Sequence, residues 1–320
     1  MIKFIFFVLT EKLTGMTVAK FIFIIGISIL FGCNNQETRY SPTYSNEPTL
    51  LYNEYIFGIH PLYNPKALQE IYGPLVDTLS QLIPNAVFRL EASKDYAAFD
   101  QKLYAGKFHF ALPNPYQTVN AIKKGYRVFG KQGDDYKFTG IIIVRKDSDI
   151  NLIQDLKGKS VSFPAPTALA ATMMPQYYIY EHGLNVMEDI EIKYVGSQES
   201  SIMSVLTGNT AAGATWPVPW LALIKKRPEI AEQLEVKWET EPLVNNSLVV
   251  RNDIPDSLVT QVSEIIFALH THKDGQKILK RMEVSKYEKA NNSTYSIVEI
   301  FLKKFNTEVR PIKIAKSNKQ

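Results

Sequence analysis

From Tyr55 almost to the end of the chain, short runs of β-branched and aromatic residues alternate with longer stretches whose apolar positions recur every three or four residues. YIFGI (55–59) reads as a first strand. Pro65 to Ile83 follows as a helix, with Leu68, Ile71, Tyr72, Leu75, Leu79 and Leu82 on one face. AVFRL (86–90), FHFAL (108–112) and YRVFG (126–130) read as further strands, with helices near 95–105 and 114–124 between them. A second set then begins: VSF (161–163), a helix over about 168–182, IEIKYV (190–195), a helix at 199–207, AAGAT (211–215) and a helix from about 217.

The two sets share a local signature. Leu103-Tyr104-Ala105-Gly106 precedes FHFALPNP much as Val205-Leu206-Thr207-Gly208 precedes NTAAGATWP. In each, a helix stops at Gly and a strand runs into a Pro-containing turn, which places a loop and a helix amino terminus at the carboxyl edge of a sheet. The expected architecture is α/β: two Rossmann-like lobes with mixed, largely parallel sheets, joined by a two-strand hinge and facing each other across a cleft. The strand-like segments FTGIIIVRK (138–146) and NSLVVRN (246–252) are the expected crossing points, with hinges near 140–145 and 243–248. Lobe 1 is then 51–142 with 246–310, lobe 2 is 143–245, and 311–320 is a basic tail. Helices near 256–270, 275–281 and 294–304 are expected to pack on lobe 1.

The amino terminus has another pattern. FIFIIGISILF (21–31) is an apolar run preceded by Lys20 and followed by Gly32-Cys33. As a helix it reaches only about 16 Å, short of a bilayer core of about 30 Å but right for a cleaved export signal. Leu30-Phe31-Gly32-Cys33 resembles the bacterial lipobox, whose thiol is acylated and whose preceding bond is cut; Phe31 is bulkier than the usual residue there. The expected organisation is a signal over 1–33, with Met16 as a plausible true start, a lipid on Cys33, and a flexible tether over 34–50.

Composition narrows the function classes. With 36 Lys and Arg against 32 Asp and Glu, the net charge of +4 is too small, and outside Lys313, Lys316 and Lys319 too scattered, for a nucleic-acid surface. Cys33 is the single cysteine, so no internal disulfide, CxxC pair or thiolate cluster can form. No HExxH, GxSxG or GxxxxGK[ST] occurs, and His60, His109, His182, His270 and His272 show no metal-ligand spacing. No cofactor, metal site or enzyme activity is expected. The 17 Tyr, 17 Phe and 3 Trp suit both cores and a ligand cleft.

Asp155-Leu156-Lys157-Gly158-Lys159-Ser160-Val161 before a strand, Pro175 inside the next helix, Gly196-Ser197-Gln198-Glu199, and the paired Gly-strand-turn signatures carry a resemblance. From about Tyr55 to Lys304 the chain resembles the substrate-binding components of phosphate, phosphite and phosphonate ABC transporters, with the type II periplasmic binding protein fold. The resemblance implies an exported, monomeric protein held to the membrane by its lipid, a small-molecule ligand, and an ABC permease in the inner membrane as partner. The family's usual site has a Ser/Thr-rich loop, a His in a GxH-like turn and an Asp after the second Gly signature. Here the loop reads Pro166-Thr167-Ala168-Leu169-Ala170-Ala171-Thr172, Gln198 stands in place of His, and Ala211 in place of Asp. A helix start at Thr167, Ala168, Leu169 and Ala170 still offers free N–H groups to an anion. With hydroxyl donors and the acid lost, the expected ligand is a phosphonate- or phosphite-like oxyanion or a less charged, more aromatic solute than an aminophosphonate.

The further candidates are Tyr63 in HPLYNP, Asn114 and Tyr116 in PNPY, Thr215, and Trp216 at the head of WPVPW, with Trp220 expected in the core. Glu199 reads as a solvated or capping carboxylate, and His60 as structural, with a place in the cleft lining as the alternative. Two other classes fit the same pattern: a lipoprotein that reports ligand to a membrane receptor, which a neighbouring kinase gene in place of a permease operon distinguishes, and an enzyme on a related fold. Thiamine-pyrimidine chemistry on such folds uses cysteines, and Cys33 is committed to the lipobox.

Overall fold

The structure, a computed structural model, describes residues 52–312. The signal segment, Cys33, the tether up to residue 51 and residues 313–320 of the tail lie outside the described residues. Among the described residues, no helix is long and apolar enough to cross a membrane.

Among the described residues, eleven strands form two sheets. In the first, β1 (Asn53–Ile59), β2 (Ala86–Glu91), β3 (Phe110–Leu112), β4 (Tyr126–Gln132), β10 (Ser247–Arg251) and β11 (Tyr287–Lys289) lie in the order β11-β4-β10-β3-β1-β2. The second holds β5 (Ile141–Arg145), β6 (Ser160–Phe163), β7 (Glu191–Tyr194), β8 (Ala212–Thr215) and β9 (Leu234–Glu239) in the order β7-β6-β8-β5-β9. Each sheet has a parallel core, β2-β1-β3 in one and β7-β6-β8 in the other, followed by a strand inserted antiparallel, β10 or β5. The sheets are mixed, and parallel pairing is confined to those two cores.

Helices cover the sheets and take their starts from local chemistry. α1 (Pro65–Leu82) begins where Asn64 Oδ1 accepts the Ala67 N–H at 3.0 Å, with Pro65 supplying a preset φ at a position that needs no N–H. Leu68, Tyr72, Leu75, Val76 and Leu79 bury its inner face. α2 (Tyr96–Tyr104) starts at Asp95, and α3 (Pro115–Ile122) at an Asn114–Gln117 capping box. In the second lobe, α4 (Met174–Glu181), α5 (Gln198–Leu206), α6 (Pro217–Lys226) and the short α7 (Glu229–Gln233) follow. α8 (Asp256–Ala268), α9 (Lys273–Arg281) and α10 (Ser296–Glu308) return to the first.

Several boundaries differ from the sequence reading. The chain leaves the first sheet after Gln132 and enters the second at Ile141, returning between Glu239 and Ser247. The crossings are therefore 133–140 and 240–246. The IIIVR and SLVVR strands lie wholly within one sheet each, because every residue of β5 from Ile141 to Arg145 pairs with β9 and every residue of β10 from Ser247 to Arg251 pairs with β4. LEVKWE (234–239) and YEK (287–289), unassigned from sequence, are edge strands of mixed polarity. The single helix expected over 168–182 begins instead with a π-helical turn, Leu169–Met173, before α4.

Candidate functional site

Each strand of the two parallel cores ends at the seam between the lobes, and each delivers a residue there, as open α/β sheets do at their carboxyl edges. β1 leads to His60, β2 to Tyr96 at the start of α2, and β3 to Asn114 at the cap of α3. On the facing lobe β6 leads to the Ala168–Ala171 turn, β7 to Gln198 at the start of α5, and β8 to Trp216 at the cap of α6. The crossings add Phe138 and Asn246. Together these residues enclose a cavity of about 10 Å³, room for roughly one water. A tetrahedral oxyanion fits only when lining side chains or the lobes themselves move apart.

Hydrogen bonds cross this seam. Asn114 Nδ2 donates to the Thr167 carbonyl at 3.0 Å, and Gln198 Nε2 to the Tyr96 hydroxyl at 3.1 Å. Thr167 Oγ1 donates to Asp100 Oδ2 at 3.4 Å, while Gln117 Nε2 donates to Asp100 Oδ1 at 2.6 Å. Beneath Gln198, Thr215 Oγ1 donates to Oε1 at 2.7 Å and fixes the amide's orientation. The Asn114 capping box, with Oδ1 accepting from Gln117 N and Gln117 Oε1 from Asn114 N, leaves Nδ2 as the donor that faces across.

The wall at Ala168–Ala171 is backbone and methyl groups. At the start of a helical turn the N–H groups of Leu169, Ala170 and Ala171 have no preceding carbonyl in the turn to bond, and π turns of this kind recur at functional sites. Gly140 in the first crossing lets the chain pass beneath it, since a Cβ there would overlap the Ala170 carbonyl oxygen and the Pro175 ring. Trp216 packs on Phe138 with ring centres 5.6 Å apart.

Among the described residues, no Asp, Glu, Lys or Arg lines the cavity. His60 is buried and neutral: desolvation takes it down to about 4, against a smaller upward pull from the Leu112 carbonyl. Asp100 stands behind the lining, and burial lifts it to about 7, partly countered by the Gln117 and Thr167 hydrogen bonds. A cation lies behind the opposite wall. Arg310, 8% exposed, donates through Nη2 to the Pro166 carbonyl at 3.0 Å and through Nε to Gln176 Oε1 at 2.8 Å. It stacks over Phe305 and Tyr194 and has no carboxylate partner among the described residues.

The sequence candidates divide accordingly. Asn114, Ala168, Leu169, Ala170, Gln198 and Trp216 meet at the cavity, and Thr167 and Thr215 bond to its lining. Tyr63 lines a separate cavity of about 270 Å³ at the same seam, with Leu62, Glu70, Glu199, Pro219 and Lys226, and Gln198 is common to both. Tyr116 is buried and turned toward α10 beside Leu302 and Asn306, and burial lifts its hydroxyl to about 12. Ala211 lies outside the cavity lining, its N–H held by the Ser160 carbonyl at 2.9 Å. Tyr96, Phe138, Ala171, Asn246 and Arg310 were not singled out by the sequence reading. Tyr96 follows the same strand-to-helix rule as Asn114 and could have been found by applying it to β2.

A family profile described as "ABC transporter, phosphonate, periplasmic substrate-binding protein" matches residues 57–295. The chain belongs to this family. Membership makes it an exported solute-binding component of an ABC importer, with a small-molecule ligand and a membrane permease as partners, and not an enzyme. It is 23% identical over 203 residues, 59% of this chain and 67% of the relative, to a protein named "Probable ABC transporter phosphite binding protein PhnD1" from Prochlorococcus marinus. The solved structure of PhnD1 from that organism in complex with methylphosphonate superposes with a TM-score of 0.73 at 19% identity, covering 79% of this chain and 98% of that one. A partial likeness, 23% identity over 54% of this chain and 32% of the relative, links it to the "Tetrathionate sensor histidine kinase TtrS" of Salmonella typhimurium. The structural match bears on the fold: a two-lobed α/β binding protein of type II.

Proposed function

We propose that this protein is a lipoprotein, anchored through Cys33, that captures a compact, singly charged oxyanion of the phosphonate and phosphite class at the seam and closes its lobes around it for the permease. One observation carries the ligand class. The N–H groups of Leu169–Ala171, which have no preceding carbonyl in their turn, and the neutral side chains of Asn114, Gln198 and Trp216 belong to residues that line one small cavity, and among the described residues no charged side chain lines it. Neutral donors and a helix terminus stabilise one negative charge, whereas a desolvated dianion lacks a counterion there. The same lining has no carboxylate for an alkylammonium, so simple alkylphosphonates and phosphite are favoured over aminophosphonates.

Binding across two lobes favours whichever arrangement satisfies both, so ligand shifts the population toward closure. Calorimetric titration of residues 34–320 with phosphite, methylphosphonate and 2-aminoethylphosphonate tests the class. The first two should bind, and the third at least about tenfold more weakly, the worth of one lost charge-assisted bond. Tighter binding of the amine, or heat from none of the three, contradicts it. For the anchor, Cys33→Ser should move the protein from the membrane fraction to the soluble fraction, and an unchanged distribution counts against lipidation. The partial likeness to a sensor kinase supports a second reading, in which the closed form signals to a receptor; loss of ligand uptake on deleting the gene favours transport.

A further inference from the structure

The seam cavity presents acceptors as well as donors, and we infer that it selects anions that carry a proton, binding a P–OH group through His60 Nε2 and Asn246 Oδ1. This rests on the reading of the cavity as the ligand site. His60 Nδ1 lies 2.8 Å from the Leu112 carbonyl oxygen. A carbonyl only accepts, so Nδ1 carries the hydrogen, and the buried neutral ring therefore holds a lone pair on Nε2. His60 lines the cavity at 3% exposure, wedged edge-on against Tyr96 and Phe99, and Nε2 has no protein donor among the described residues.

Asn246 makes the second acceptor by a different route. It is 1% exposed and lines the same cavity. Its Nδ2 donates to Gln132 Oε1 at 2.9 Å, and its Oδ1 is buried with no donor among the described residues. A buried carbonyl oxygen left unpaired is costly, and in a residue that lines a ligand cavity it is satisfied when a ligand reaches it with a hydrogen. Gln132 is itself buried at the end of β4, so the amide cannot swing away without stranding a second polar group.

The open acceptors thus come from one side of the cavity, while backbone donors come from the other. The Leu169–Ala171 N–H groups, from the second lobe, suit P–O⁻ oxygens. The His60 and Asn246 lone pairs, from the first lobe and the second crossing, suit the hydroxyl of a monoprotonated phosphonate or phosphite. A sulfonate has the same shape and charge but no hydroxyl hydrogen, and its third oxygen meets two lone pairs. Sites built to receive a hydrogen reject analogues that lack it far more strongly than apolar pockets reject a missing methylene.

The test compares methylphosphonate and methanesulfonate, both monoanions at about pH 6, by calorimetry on the unmodified protein. Methylphosphonate should bind about 10- to 100-fold more tightly. Asn246→Leu and His60→Phe should each shrink that ratio by weakening methylphosphonate while leaving methanesulfonate unchanged or improved, with cooperative melting confirming the fold. Equal affinities in the unmodified protein overturn the inference while leaving the site reading intact. A ratio preserved in a folded Asn246→Leu protein overturns the role of that residue. Failure of both methylphosphonate and phosphite to bind sinks the site reading and this inference together. If a variant does not fold, the comparison on the unmodified protein decides.

Discussion

The two lobes bring the same topology to the seam and opposite chemistry. From the first lobe come polar side chains, His60, Tyr96 and Asn114, each locked by a neighbour: a carbonyl, an amide, a capping box. The second lobe offers backbone and surface, with the methyl-lined Ala168–Ala171 turn and the Trp216 indole, and Gln198 as its single amide. The difference teaches how one fold separates tasks. One lobe offers side chains held in fixed orientations by their hydrogen bonds, whereas the other offers a turn whose backbone N–H groups depend on no particular side chain. Behind these faces the charges are opposite too, Asp100 behind the first and Arg310 behind the second.

That contrast can be broken at four points, from the largest expected effect to the smallest. Asp100 is a carboxyl whose folded value is raised from 3.8 to about 7 by burial. Its favourable contribution is full below about pH 4 and is lost as pH rises through about 7, where the buried group ionises. Asp100→Asn should therefore become more stable relative to the parent between about pH 5 and pH 8, by roughly 2 to 4 kcal/mol in paired melting curves. A constant difference across that range contradicts the buried, protonated carboxyl. His60 acts in the opposite direction: its folded value is depressed to about 4, so stability falls as pH drops below about 6.5 in both proteins alike.

Gly140→Ala attacks the second lobe's wall from beneath. The added methyl meets the Ala170 carbonyl oxygen and Pro175, so stability should fall by about 1 to 3 kcal/mol and ligand affinity should fall with it. Stability lost with affinity intact would show that the turn does not shape the site. Asn114→Ala attacks the first lobe by removing both a helix cap and the bond to Thr167. A stability loss of about 1 kcal/mol is expected, with a drop in affinity that Asn114→Asp restores only in its capping part. Tyr63→Ala should matter least. Its ring lines the neighbouring cavity, so affinity for methylphosphonate should change by less than about twofold, a change below about 0.5 kcal/mol, while any preference for longer phosphonate substituents is altered.

The legible part of this molecule was whatever repeats. Alternating strands and 3.6-residue periodicity gave the two lobes, and the two Gly-strand-turn signatures gave Asn114 and Trp216 at equivalent edges of the two sheets. What the pattern hid has physical reasons. LEVKWE is an edge strand, half exposed and alternating irregularly, so it lacks the apolar run that marked the central strands. The π turn at Leu169–Met173 has a composition that an α-helix accepts equally well; the close approach at Gly140, distant in sequence, accompanies the change of register. Asn246 sits in a crossing with no periodicity, and its importance comes from an unpaired atom that only three dimensions reveal. Tyr116 occupies the right turn but, two residues further along the helix, lines a groove beside α10 instead.

The most direct measurement is the ¹H–¹⁵N spectrum of the labelled protein titrated with methylphosphonate. The amide protons of Leu169, Ala170 and Ala171, the Trp216 indole N–H and the Gln198 side-chain amide should shift together with one dissociation constant. Shifts confined to the cavity around Tyr63 and Glu199, or to the outer surface of either lobe, would contradict it.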